Sequence, residues 1–142
     1  MRKLFDLAAA DENIRFSPYC WRVKLTLAHK NLDVKYLPWD FTEREKIYFS
    51  CKTLEEAIQD REKRLPHFQK LLSFLRKSLK EQDFVARNDP AFSDYIIFGA
   101  FQWARIVSDF QLLNYDDPIF NWRERMLDLY GGLARNAKRI SR

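Results

Sequence analysis

Apolar positions change their spacing several times along this chain, and each change marks an element. Lys3-Leu4-Phe5-Asp6-Leu7 holds a short apolar strand, Leu4–Leu7. A helix is predicted over Pro18–Lys30 and a second strand over Val34–Trp39. Further on, Leu54, Ile58, Leu65, Phe68, Leu72, Leu75 and Leu79 recur at spacings of three, four and seven, so they form one helical stripe. Thr53-x-x-Glu56 is a capping box that opens this stretch, and Pro66 is expected to kink or split it near Arg64. Glu81 to Asn88 read as a connection.

The next helix is expected to start at Asp89-Pro90, with Asp89 as its cap. It presents Tyr95, Phe98, Gln102 and Ile106 on one side, with Ile96, Gly99 and Trp103 beside them. A helix apolar around most of its circumference belongs in the middle of a bundle. Asp117-Pro118 begins a last helix and Gly131-Gly132 ends it.

The stretch that carries chemistry is Ser17-Pro18-Tyr19-Cys20-Trp21-Arg22. Ser17 can cap the free amides of the first helical turn, and Pro18 at the first helical position has no N–H to waste. The Ser17 hydroxyl therefore faces the positive end of the helix, where a thiolate or carboxylate is stabilised. A plain N-cap would use the same residue. Cys20, one turn in, is read as a buried cysteine, and Tyr19, Trp21 and Trp39 as core or as walls of an aromatic pocket.

Strand, loop, helix and strand in this order resemble the first half of a thioredoxin-type domain. The run Ser17-Pro18, Arg22-Val23-Lys24, Leu27 and Lys30 resembles the serine-type glutathione S-transferases most closely. Asp94 to Arg105 resembles the central helix of their all-helical C-terminal domain, and Trp122 to Leu129 fits a helix further along. Together these point to the etherase-like branch, over roughly residues 3–46 and 50–138. The resemblance implies that Ser17 hydrogen-bonds the sulfur of glutathione and that Tyr19 adjoins it. It also implies that Tyr95 and Trp103 face an electrophile at the seam between domains, and that Arg22 pairs with an acidic residue of the helical lobe. Ala91 stands where the family usually has Ser or Thr three residues before Asp94.

Between Trp39 and the next helical region lie only Phe41 to Ile47, too few for the cis-proline loop, two strands and third helix that the family adds. The expectation is a thioredoxin-like domain truncated after its second strand. The fold class is thus α/β plus all-α and mostly helical. A partial thioredoxin-like βαβ unit (1–47) packs on an all-helical C-terminal domain (48–142). A two-stranded sheet leaves an edge that invites a homodimer.

Composition narrows this picture. With 46% hydrophobic residues, including twelve Phe and four Trp, the chain can fill a core of bulky side chains, and three Gly argue against disorder. Arg135, Lys138, Arg139 and Arg142 supply most of the net charge of +5, which reads as a solvated basic end rather than a nucleic-acid surface. No apolar run approaches a membrane span, and neither a membrane partner nor a signal peptide is expected. Cys20 and Cys51 make no disulfide framework, which suits a reducing cytoplasm. His29 and His67 lack metal-ligand partners, so no metal is expected.

The expected function is glutathione transfer to, or ether cleavage of, small aromatic electrophiles, in detoxification or secondary metabolism and with activity reduced by the missing loops. Glutathione would be the co-substrate. The alternative is a non-catalytic relative that binds ligands or proteins through its helical lobe. A redox role for Cys20 ranks last, because Ser17 stands where the first thiol would be.

Overall fold

Two parallel strands and the helix between them open the chain. In the computed structural model, which describes residues 2–39 and 60–140, β1 (Arg2–Leu7), α1 (Pro18–His29) and β2 (Val34–Trp39) form a βαβ unit. The strands pair in register from Arg2 opposite Val34 to Leu7 opposite Trp39. Pro38 is tolerated in β2 because a two-stranded sheet leaves one row of N–H positions unpaired. The Thr53–Glu56 capping box, Leu54, Ile58, Cys51 and the expected boundary at 47/48 lie outside the described residues.

Among the described residues four further helices follow: α2 (Arg61–Leu71), α3 (Ser73–Ser78), α4 (Phe92–Val107) and α5 (Pro118–Gly132). The expected architecture, mostly helical with one βαβ unit, is the one the described residues adopt. The stripe does break, but not at Pro66, which lies inside α2. The carbonyl that Pro66 leaves without a donor is that of Glu62, an exposed residue that water reaches. The break falls instead at Leu72, which is at once the C-cap of α2 and the N-cap of α3.

The start of α4 also differs from expectation. The helix begins at Phe92 with Ala91 as N-cap, two residues later than Asp89-Pro90 implies. Alanine has no oxygen to cap with. The third helical residue, Asp94, reaches back instead: its Oδ2 accepts from Ala91 N at 3.0 Å and its Oδ1 from Val85 N at 2.7 Å. The Trp122 indole Nε1 donates to that same Oδ1 at 2.9 Å. A fully buried carboxylate thus ties the preceding loop, α4 and α5 together.

Asp117 caps α5 as its sequence implies, with Oδ1 accepting from Ile119 N at 2.9 Å. Its Oδ2 takes both Nε and Nη2 of Arg76, at 3.0 and 2.8 Å, which fastens α3 to α5. The regular part of α5 stops before its glycines. Leu129 leaves the helical region, and Tyr130, Gly131 and Gly132 all have positive φ. The core lies between α4 and α5, where Phe98, Ile106, Ile119, Trp122 and Met126 lose all contact with water. Phe98 and Phe101 meet the Trp122 ring edge-on, with centroids 6.2 and 5.9 Å apart.

The βαβ unit docks on this core chiefly through α1 against α4. Gly99 makes the contact possible: a Cβ there would stand 2.5 Å from the Pro18 carbonyl oxygen. The basic end is exposed, as expected, but it is paired and folded back rather than free. Arg135 pairs with Asp128 and Glu124, Lys138 with Asp11 at 2.6 Å, and Arg139 with Asp109 at 2.7 Å. Ile140 N donates to Ile106 O at 2.9 Å, so the chain after α5 folds back over the end of α4.

Candidate functional site

Helix α1 is held by caps at both ends, and its N-terminal turn is the expected site. Ser17 has extended backbone (φ −60°, ψ 122°) and its Oγ accepts from Cys20 N at 3.3 Å. This uses an oxygen lone pair and leaves the hydroxyl proton without an acceptor among the described residues. Pro18 occupies the first helical position, so the turn has few free amides beside the one that Ser17 caps. Ser17 is 5% exposed.

Tyr19 points outward, 69% exposed, with the Arg22 guanidinium 4.6 Å from its ring centroid. Arg22 was expected to pair with an acid of the helical lobe; among the described residues it has no such partner, and its Nε is buried without an acceptor. The reason is local, because three positions along a helix bring Arg22 over Tyr19 on the same face. Cys20, expected to be buried, is half-buried, its sulfur taking the Leu7 amide at 3.5 Å.

The other two expected residues sit on α4. Pro18 meets Gly99 while His29 meets Tyr95, so α1 and α4 run in opposite directions. Trp103, one turn past Gly99, therefore lies toward the Ser17 end and is 43% exposed. Tyr95 lies at the far end of α1, a helix about 18 Å long. It is 2% exposed, and its hydroxyl is committed to His29 Nδ1 at 2.6 Å and to the Tyr130 hydroxyl. Burial, and then the hydrogen bond to Tyr130, push the Tyr95 phenol well above its usual pKa. Its hydroxyl stays protonated and structural. The fold brings Ser17, Tyr19 and Trp103 toward one end of α1 and Tyr95 to the other.

Three features escape a reading of the sequence. Beneath α1, Lys24 Nζ meets Asp6 Oδ2 at 2.8 Å in an ion pair almost wholly removed from water. The same ammonium stands 4.4 and 4.9 Å from the Trp21 and Tyr36 ring centroids. Burial and the Asp6 charge raise the Tyr36 pKa. The available signal is a charged residue at an inward position on each element. The second feature is the His29–Tyr95–Tyr130 cluster, whose members are distant in sequence. The third is an arginine-lined cavity at the end of α4. Among the described residues no group of His, Cys, Asp and Glu could hold a metal ion, and no helix is long and apolar enough to cross a membrane.

Compared with known families, residues 14–115 match the family described as glutathione S-transferase, C-terminal domain. The match covers more than half of the chain. It begins before α1 and ends just before α5, and so includes both α1 and α4.

Proposed function

The chain belongs to the glutathione S-transferase family, and on that premise we propose that it binds glutathione at the N-terminus of α1 and directs it at small aromatic electrophiles. The observation that carries this reading is the state of Ser17. Its oxygen accepts the Cys20 amide, and its hydroxyl proton remains to be donated. A hydroxyl polarised by an amide donor, at the positive end of a helix, is a good hydrogen-bond donor to a sulfur anion.

Glutathione bound there would supply the nucleophilic sulfur. The chain's own part is to donate the Ser17 O–H to that sulfur and to bring the field of α1 to bear on it. Both lower the pKa of the thiol and raise the fraction present as thiolate at neutral pH. Tyr19, with Arg22 stacked on it, offers a charged and aromatic flank for the rest of the peptide. Trp103 offers an apolar face for an aromatic ring on the same end of α1. Tyr95 acts from inside, keyed to His29, where it fixes α1 on α4.

A second reading, a relative that binds ligands without turnover, is favoured by the low exposure of Ser17. Calorimetry on the purified chain separates the two. Glutathione affinity in the millimolar range or tighter, weakened at least threefold by Ser17→Ala, is the expected result. Bound-thiol titration should then give a higher pKa in the variant than in the parent. No heat of binding from a folded chain would leave the second reading standing.

A further inference from the structure

Helices α2 and α3 differ from α4 and α5 in burying none of their residues fully. Leu65, Phe68, Leu72 and Leu75 are half-buried on one side, where Phe68 meets the Phe101 ring edge-on with centroids 6.4 Å apart. Leu72, between the two helices, has φ −80° and ψ 1°, close enough to helical that the Arg76 amide donates to its carbonyl at 2.9 Å. Side chains three, four and seven apart therefore stay on one side across the junction. The outward side carries Arg64, His67, Leu71 and Phe74, and beside them Lys63, Lys70 and Lys77 at intervals of seven. All of these are exposed. Phe74, at 81%, is the most exposed large apolar side chain among the described residues, and Leu71 reaches 69%.

Charge collects in the same segment. Residues 60–81 hold seven Lys and Arg against Asp60, Glu62 and Glu81, a net +4 in a chain whose total is +5. Arg76 turns inward to Asp117, and Lys63 pairs with Asp60. Arg64, Lys70 and Lys77 have no carboxylate partner among the described residues, whereas Arg135, Lys138 and Arg139 each have one.

Two exposed apolar side chains in a field of unpaired cations match a surface that is anionic outside and apolar beneath. An anionic bilayer has that profile, and lysines suit it. Their methylene stems lie along the apolar layer while the ammonium groups reach phosphates and carboxylates that have no fixed position. An acidic protein surface without a pocket for Phe74 would match the charge alone.

We propose that the outer side of α2 and α3 docks on anionic lipid membranes. Leu71 and Phe74 enter the headgroup layer, and Arg64, Lys70 and Lys77 meet the lipid phosphates and carboxylates. Surface docking asks for no membrane-crossing helix, and it is reversible and salt-sensitive. It does not rest on glutathione binding.

Co-sedimentation of the full chain with vesicles is the test. Phosphatidylcholine vesicles with about 30% phosphatidylserine should bind it at least tenfold more tightly than phosphatidylcholine alone, and less tightly as salt is raised. Phe74→Ser, and Lys70→Gln with Lys77→Gln, should each weaken binding at least fivefold. The replaced side chains are exposed, so the variants should keep their fold, which circular dichroism checks. Two controls make equal changes elsewhere. Phe92→Ser, at an exposed position of α4, and Lys30→Gln with Lys35→Gln should stay within twofold of the parent. Poly-glutamate stands for an acidic protein partner; it should bind more weakly than the mixed vesicles and be indifferent to Phe74→Ser. Equal binding to the two kinds of vesicle overturns the proposal. So do control variants that lose as much as the patch variants, or a poly-glutamate affinity that falls with Phe74→Ser.

Discussion

The two faces of α1 meet different kinds of interior, and the contrast separates what holds this protein together from what it offers to a ligand. Toward α4 and α5 the packing is dry and aromatic, centred on Trp122, and its most deeply buried carboxylate, Asp94, has three donors. Toward the sheet, Phe5 and Trp39 are left in water, and the buried carboxylate, Asp6, has one ammonium and an Oδ1 with no partner. Among the described residues, Gln102 Oε1 is the unpaired buried side-chain atom of the lobe, whereas the βαβ unit leaves both Asp6 Oδ1 and Arg22 Nε unpaired around a thinner core. Stability should therefore reside in the lobe, with the βαβ unit carried by the contact of α1 on α4.

The sharpest break of this contrast is a pair of tryptophans. Trp122→Ala empties the centre of the lobe and strands the Asp94 carboxylate, and should cost about 4 kcal/mol in urea unfolding. Trp39→Ala at the half-exposed end of β2 should cost under about 1 kcal/mol. Equal losses would mean that the two regions form one core of uniform strength.

A smaller effect sharpens the picture within the βαβ unit. Lys24→Met leaves Asp6 charged and buried, and should cost about 3 kcal/mol. Adding Asp6→Asn to that variant removes the unpaired charge and should restore more than half of the loss. A double variant no more stable than the single one would show that the pair acts through packing rather than charge.

The smallest effect concerns the join between the βαβ unit and the chain end. The Lys138 ammonium, helped by the Asn13 donors, holds the Asp11 carboxyl at about 2, below its usual 3.8. A depressed pKa in the folded state means that this contact stabilises the fold above pH 3.8 and is lost as pH falls through about 2. Carboxyl-carbon NMR should show the Asp11 titration move upward in Lys138→Met. An unmoved titration would place the cause in Asn13 alone.

Caps and periodicity made much of the fold legible. Ser17-Pro18 and Asp117-Pro118 start helices where they stand, because capping is settled by two or three adjacent residues. Pro66 and Asp89 show the limit of that reasoning. Water at an exposed helix lets a proline stay inside α2, and Asp94, fixed from outside by Val85 and Trp122, moves the start of α4 to Phe92. Of the expected site residues, Ser17, Tyr19 and Trp103 fall toward one end of α1 because α1 and α4 run in opposite directions. Tyr95 goes to the other end for the same reason, drawn to partners 66 and 35 residues away. The basic run after α5 is solvated as its composition implies, but its pairing was hidden because its acids, Asp11, Asp109, Glu124 and Asp128, are set opposite it only by the fold.

By itself the sequence determined the order of elements, the capped start of α1 and the family, since these depend on local spacing and short motifs. The tertiary structure alone decided which charges find partners: Asp6 with Lys24, Lys138 with Asp11, and Arg105 with no carboxylate among the described residues. Charge pairing depends on distances of a few ångströms between residues far apart along the chain, and local composition carries no record of those distances.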